Sequence, residues 1–346
     1  MNRLEHTDIT SAIGDTPIVR LNKVPAHVSS EIYVKLEFMN PGGSIKDRAG
    51  VYMCRKAVER GDLPPGGIII EATSGNTGVG VAIFANVHDH PCIFVMADKQ
   101  SSDKVANLKA YGARVILCPA AARDDPRSHH SVARALAERL GALLLDQHSN
   151  PDNVEAHYAQ TGPEILRQTG GELDALVVGV GTGGTVSGAG RFLKEHMPSL
   201  EVIGVDAQGS ILARYYRSGA TDGWTPYLLE GVGEGFVPPI LDLGVVDAFE
   251  VVGDEEAFRM TRALLTEEGI FAGGSSGAAV VAAIRYAQRQ PRARRILVVL
   301  PDSGSRYASQ FYDDAWMEQH GWPVAPKADP LDERIQQIIG AAARLA

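Results

Sequence analysis

Lys46 is the group in this sequence best placed for covalent chemistry. It sits in Asn40-Pro41-Gly42-Gly43-Ser44-Ile45-Lys46-Asp47-Arg48. The proline and paired glycines demand a tight turn. A helix over about Ile45 to Glu59 follows, with Val51, Met53, Cys54 and Ala57 as apolar positions. Ser44, with Asp47 three residues on, reads as an N-cap and capping box. Lys46 then stands in the first turn, where the helix dipole disfavours a second positive charge and eases loss of the lysine proton. A neutral lysine on a pinned backbone suits Schiff-base chemistry. A capped surface helix with a solvated lysine explains the same residues, and the stretch alone does not choose.

Three further loops follow expected parallel strands, where open α/β sheets bind ligands. Thr73-Ser74-Gly75-Asn76-Thr77-Gly78 opens a helix whose free N–H groups favour an anion such as a carboxylate. A cap-rich loop is the plain alternative. Gly179-Val180-Gly181-Thr182-Gly183-Gly184-Thr185 leaves a strand and opens a helix, the form of a phosphate cradle. It also satisfies G-x-G-x-x-G, with Asp206 about 20 residues later, so a nicotinamide-dependent dehydrogenase is a rival of another class. Leu300-Pro301-Asp302-Ser303-Gly304 sets Ser303 at a strand end, as a neutral partner for a ring nitrogen or as a helix cap. Gly273-Gly274-Ser275-Ser276-Gly277 is another small-residue turn facing the same cleft. His88, His90, His129 and His130 lack zinc spacing, and no G-x-S-x-G elbow supports a hydrolase.

The elements that position these loops alternate. Strands are expected at 18–21, 31–37, 67–71, 91–96, 114–117, 142–146, 175–180, 201–206 and 296–300. Helices are expected at 79–87, 102–111, 130–140, 184–195, 254–268 and 276–289. Apolar strands in repeated βα units mean parallel sheets covered on both faces. The fold class is α/β: two doubly wound parallel-sheet domains, split near residue 150, with a cleft between them. Residues 326–346 read as a linker and an amphipathic helix, with Leu331, Ile335, Ile338, Ile339 and Ala342 on one face.

The length of 346 residues suits two domains. A net charge of -9 without a basic stripe excludes a nucleic-acid binder. No apolar run is long enough to span a membrane, and the first residues hold no secretory apolar region. Cys54, Cys92 and Cys118 are odd in number and far apart, which fits a reducing cytoplasm.

With a lysine, an anion loop, a phosphate cradle and a strand-end hydroxyl, the chain resembles the cystathionine β-synthase and cysteine synthase group of pyridoxal-phosphate enzymes (fold type II, tryptophan synthase β-like). The motif around Lys46, 73–78, 181–185, Glu230-Gly231-Val232-Gly233 and 273–277 carry the resemblance across residues 8 to 320. Ser101-Ser102-Asp103-Lys104-Val105, Ala156-His157-Tyr158, 204–212 and 300–303 carry the finer likeness to cystathionine β-synthase cores.

The resemblance implies that residues 1–40 with 151–325 form the larger cofactor domain and 41–150 a smaller, mobile substrate domain. It implies that Lys46 forms the Schiff base with pyridoxal 5'-phosphate. Asn76 would bond the ring oxygen, Gly181, Thr182, Gly183, Gly184 and Thr185 the phosphate, and Ser303 the pyridine nitrogen. Thr73, Ser74, Asn76, Thr77 and Gln147 would hold the substrate carboxylate. The freed lysine would remove the α-proton, the β-substituent would leave to give an aminoacrylate, and a nucleophile would add. A neutral Ser303 keeps the ring a moderate electron sink.

The expected reaction is condensation of serine, or an activated serine, with homocysteine. Cysteine synthesis from O-acetylserine and sulfide is an alternative, as is a 2,3-diaminopropionate-type synthesis from O-phosphoserine and an amine donor. A non-catalytic protein that keeps the fold is a further one. The stretches 35–40 and 269–274 look like the diaminopropionate enzymes. His148, and Glu234 after Gly233, stand where the family carries tyrosines against the second substrate. A carboxylate there would repel an anionic acceptor and favour one bearing an amine. Neither a haem-binding extension nor a regulatory domain pair is expected, and the resemblance implies a homodimer.

Overall fold

A computed structural model describes residues 6–73, 75–98, 102–121, 123, 125–324, 334, 335 and 338. Its strands are β1 (Ile18–Arg20), β2 (Glu31–Leu36), β3 (Ile69–Ala72), β4 (Cys92–Ala97) and β5 (Arg114–Cys118). They continue with β6 (Leu143–Leu144), β7 (Ala175–Gly179), β8 (Glu201–Ala207), β9 (Ala248–Val252) and β10 (Arg295–Leu300). One sheet has the order β1-β2-β10-β7-β8-β9, parallel from β2 to β9. Only β1 is antiparallel, at the edge. The other sheet, β5-β4-β3-β6, is parallel throughout. Central strands β3, β4 and β10 are apolar along nearly their whole length and buried, as parallel strands covered on both faces must be. One core gathers Met53, Cys54, Phe84, Phe94 and Leu108, and another Leu176, Leu193, Val202, Phe249 and Leu297.

Each sheet has a switch point. The chain runs outward from β7 through β8 and β9, then returns to lay β10 on the other side of β7. It likewise runs from β3 through β4 and β5, then returns to place β6 beside β3. Neighbouring loops diverge at such points and leave a crevice beyond the strand ends. The crevices collect the loops after β7 and β10 in one sheet and after β3 and β6 in the other.

Several boundaries differ from expectation for local reasons. The lysine helix spans Lys46–Arg60, its N-cap is Ile45, and no side chain caps it. The expected Ser44–Asp47 capping box is absent. Ser44 is held in a bridge to Asp302, and the Ile45 N–H bonds the Pro301 carbonyl at 2.8 Å. Ser44 Oγ accepts from the Lys46 N–H at 3.2 Å, and Asp47 turns back to the Gly42 N–H at 2.5 Å. β6 is shorter than expected, because Asp146 adopts φ 46 and turns the chain. β9 was not anticipated; pairing with β8 makes this edge segment a strand. Two helices, Pro151–Ala156 and Gly162–Thr169, joined by a π turn at His157–Thr161, were also not anticipated.

Gly80 lets the Asn76–Val87 helix approach the lysine helix. A Cβ there would stand 2.6 Å from the Lys46 carbonyl oxygen. Beneath the lysine helix lies a buried ionic lattice. Arg48 Nε donates to Glu37 at 2.8 Å and Arg48 Nη1 to Glu164 at 2.9 Å. Lys35 Nζ meets Glu164 at 2.5 Å, and Thr16 Oγ1 donates to Glu37 at 2.7 Å. Burial pushes the Glu37 carboxyl up, but Arg48 and then Lys35 outweigh it and hold it below the usual carboxylate range. Two cations and two anions cancel in a region nearly closed to water.

Residues up to Arg306 form one compact unit, and a second begins at Tyr307. In the second, Asp313 caps the helix Asp314–Gln319, and the Trp316 ring lies tilted against His320. Of the expected terminal helix, Arg334, Ile335 and Ile338 are described and helical. Leu331, Ile339 and Ala342 lie outside the described residues.

Replacing Arg48 with Met leaves two buried carboxylates with one cation between them. The expected loss is about 3–5 kcal/mol, measured by urea denaturation, against under 1 kcal/mol for Arg295→Met on the surface.

Candidate active site

The loops beyond β7 and β10 meet around Lys46. One cavity is lined by Lys46, Asn76, Gly181, Thr182, Thr185 and Asp302, among others. Burial is the main force pushing the Lys46 amine below the ordinary lysine range, while Glu234 and Asp302 oppose it. The sequence argument for a lowered value rested on the helix dipole; desolvation is the larger cause.

The cradle follows from the end of β7. Gly183 has φ 88, a left-handed backbone that puts it at the N-cap of the Gly184–His196 helix. A Cβ on Gly181 would stand 2.9 Å from the Gly231 carbonyl, so the chain closes there only without one. Thr182 Oγ1 accepts from Asn153 Nδ2 at 3.2 Å. Thr185 Oγ1 meets His157 Nε2 at 3.2 Å, and His157 Nδ1 meets Thr161 Oγ1 at 2.9 Å. Burial, then Lys46 and Arg48, hold His157 neutral. The cradle is thus backed by uncharged groups. Asp206, which a dinucleotide site would need for a ribose, is buried and accepts from the Ala207 and Ala213 N–H groups at 3.0 and 2.7 Å. That use removes the second half of the dehydrogenase signature.

In the other crevice, Asn76 begins its helix rather than ending a loop. Its Nδ2 donates to Asp302 Oδ2 at 2.8 Å, while its buried Oδ1 has no partner among the described residues. Thr77 Oγ1 donates to Gln147 Oε1 at 2.6 Å. Thr73 Oγ1 accepts from the Gly75 N–H at 3.0 Å. Ser74 lies outside the described residues. Ser303 does not line the cavity; its Oγ meets Ser305 Oγ at 2.9 Å, and its neighbour Asp302 takes the lining position.

Glu234 lies close enough to act on Lys46. His148 Nε2 meets Glu234 Oε1 at 3.3 Å, with His130 and Phe236 around the imidazole. The Glu234 N–H donates to Ser210 Oγ at 2.9 Å, and its carbonyl accepts from the Ile211 N–H at 3.1 Å. Gly233, at φ 80, donates its N–H to the Val180 carbonyl at 2.7 Å. Nearby, Lys104 is ion-paired with Glu230.

The residues fit pyridoxal phosphate. They offer a desolvated amine, a cradle of glycine and threonine at a helix start, and an amide oxygen awaiting a donor or polar ring edge. The cavity encloses about 50 Å³, and Asn76 and Asp302, bonded to each other, both line it. Among the described residues no cluster could hold a metal. A larger cavity, about 500 Å³, is lined by Thr10, Asp15, Arg48, Glu164 and Arg167. Its Arg48 and Glu164 already pair with each other, and Arg167 pairs with Asp15.

Sequence reasoning assigned no role to Asp302, Asn153, His157 or Glu71. Asp302 adjoins Ser303, which drew the attention. The others gave no spacing signal, since only folding sets them behind the loops. Glu71 ends beneath Gln147, whose N–H approaches its Oε1 at 3.4 Å.

Burial, with Asp146 adding to it, pushes Glu71 up to about 8 from the ordinary 4.5. Between these values the folded chain keeps a proton that the unfolded chain releases, so stability falls as pH rises through that window. From Glu71 wild type should lose about 3–4 kcal/mol between pH 5 and pH 8 in urea denaturation, and Glu71→Gln distinctly less. Asp47, pushed up to about 7 by burial, contributes in the same direction and remains in the variant.

Residues 9–302 match the family of pyridoxal-phosphate dependent enzymes. The cystathionine β-synthase of Apis mellifera is 44% identical over 319 residues, 91% of this chain and 63% of that protein. The cysteine synthase of Staphylococcus aureus is 40% identical over 303 residues, 87% of this chain and 95% of that one. The crystal structure of an O-acetylserine dependent cystathionine β-synthase from Helicobacter pylori gives a TM-score of 0.82 at 38% identity, covering 89% of this chain and 98% of that one. The chain spans less than two thirds of the length of the Apis mellifera protein. No described helix is long and apolar enough to cross a membrane. A match from residue 9 to residue 302 takes in the lysine, both crevices and the cradle together, and the chain therefore belongs to the pyridoxal-phosphate dependent enzymes.

Proposed function

We propose that the protein catalyses β-replacement on serine or an activated serine, with homocysteine as the acceptor and cystathionine as the product. The observation that carries this reading is the desolvated Lys46 amine in one cavity with the 181–185 cradle and Asn76. When bound, pyridoxal phosphate supplies an electron sink for negative charge at the substrate α-carbon.

Gly181, Thr182, Gly183, Gly184 and Thr185 hold its phosphate with backbone N–H and hydroxyl groups at the positive end of a helix. Asn76 would take the ring oxygen; Ser303, which stands beside the lining residue Asp302, would have to turn from Ser305 to take the ring nitrogen. Thr73, Ser74, Thr77 and Gln147 hold the substrate carboxylate, with the Thr77–Gln147 bond at 2.6 Å orienting the pair. The lowered Lys46 amine removes the α-proton, since a desolvated lysine is neutral more of the time near pH 7. The same nitrogen then gives that proton to the leaving oxygen, takes one from the acceptor thiol as its sulfur adds, and returns it to the α-carbon. The closed surroundings keep water from competing with the acceptor. Residues 41–150 act as the smaller, mobile substrate domain against 1–40 with 151–325. The working form is a homodimer, as the family resemblance implies, and the three separated cysteines fit a reducing cytoplasm.

Borohydride should fix the cofactor to Lys46 in wild type and to nothing in Lys46→Ala, with turnover lost by at least about 10³-fold. Serine, O-acetylserine and O-phosphoserine should be tested in turn for a change in cofactor absorbance. Each is then mixed with homocysteine, sulfide or an amine, and the product mass measured. Cystathionine from homocysteine supports the reading; product from sulfide alone, or from an amine alone, replaces it with a cysteine synthase or a diaminopropionate-type enzyme.

A further inference from the structure

We propose that Glu234, oriented by His148, selects an acceptor that carries an ammonium group of its own: an amino-functional nucleophile rather than hydrosulfide or another small anion. This deepens the β-replacement reading and rests on it.

The charges in the cleft point this way. The cradle at the Gly184–His196 helix start is built for a phosphate. The start of the Asn76 helix, with Thr77 and Gln147, is built for a carboxylate. Two anions thus enter a site whose lining, among the described residues, offers one basic side chain, Lys46. Lys46 is itself held below the ordinary lysine range. Lys104 is committed to Glu230, and Asp302 holds Asn76. Glu234 adds a further carboxylate close enough to act on Lys46, and its contact is an imidazole, which hydrogen-bonds a carboxylate without needing a charge.

A carboxylate beside two bound anions is unfavourable unless a cation joins it. The bound first substrate has no free ammonium, because its amino group is the group joined to the cofactor. The acceptor does. Glu234 is also aimed. Its N–H and carbonyl are both bonded to the Ser210–Ile211 turn, and His148 holds one carboxylate oxygen at 3.3 Å. The second oxygen can take an ammonium group. The same charge repels hydrosulfide.

The test uses matched thiols with the holoenzyme: cysteamine, which carries an ammonium, and 3-mercaptopropionate, which carries a carboxylate, alongside homocysteine and sulfide. Wild type should favour cysteamine over 3-mercaptopropionate in kcat/KM by at least about tenfold. Glu234→Gln should raise KM for homocysteine and cysteamine about tenfold with little change in kcat, and should improve use of 3-mercaptopropionate and sulfide. The absorbance change with donor alone should keep its wild-type midpoint, which shows an intact site. Glu234→Asp should retain part of the preference.

Equal use of the two thiols by wild type, or an unchanged ratio in Glu234→Gln with a normal donor response, overturns the proposal while leaving β-replacement standing. A wild type whose absorbance responds to no donor overturns both.

Discussion

The buried lattice of Arg48, Glu37, Lys35 and Glu164 is the constraint on which the site depends. Arg48 is two residues from Lys46, so whatever holds Arg48 sets where the lysine helix starts and how it is turned. The lattice ties that helix to β2 through Lys35, to the turn after it through Glu37, and to the Gly162–Thr169 helix through Glu164. Hydrophobic contact alone would let the helix slide by small amounts. Directional charge-assisted bonds among four neutralising groups do not. The Lys46 amine is thereby presented to the cavity from a fixed backbone, at the cost of desolvating four ions.

The rest of the site is the geometry of two switch points. Each sheet reverses its winding once, and each reversal opens a crevice at strand ends. Lys46 and its turn join the crevices, through the Ser44–Asp302 bridge and the Asn76–Asp302 bond. Electrostatics then divides the walls. Two helix starts attract anions, and Glu234 with Glu230 and Asp302 supplies the opposing charge. Neutral His157 stands behind the cradle. A shared G-x-G-x-x-G pattern did not make a dinucleotide site, because Asp206 spends its carboxylate on two backbone N–H groups.

Much of this was legible in the residues. Apolar runs bounded by glycine and proline marked nearly every core strand, because a strand buried on both faces has no other composition available to it. Glycine and hydroxyl clusters marked the loops that line the cavity, because close approach of backbone to backbone excludes a Cβ. Lys46 stood out because a forced turn and a helix start flank it. The capping box at Ser44 was misread for the same local reason: the spacing is right, but Ser44 is drawn into a bridge with a residue far along the chain. β9 and the π turn at His157–Thr161 were missed, since neither segment has a pattern that selects its conformation without its neighbours.

By itself the sequence determined the α/β class, the glycine- and hydroxyl-rich loops at strand ends, and a lysine at the start of a helix. These are properties of short segments, set by backbone freedom, capping and apolar periodicity. Tertiary structure alone decided which groups surround that lysine. It placed Arg48 on Glu164, 116 residues away, Asn76 on Asp302, 226 away, and His148 on Glu234, 86 away. It also decided why the amine is shifted, because desolvation depends on what the whole chain packs around a group and not on the residues beside it.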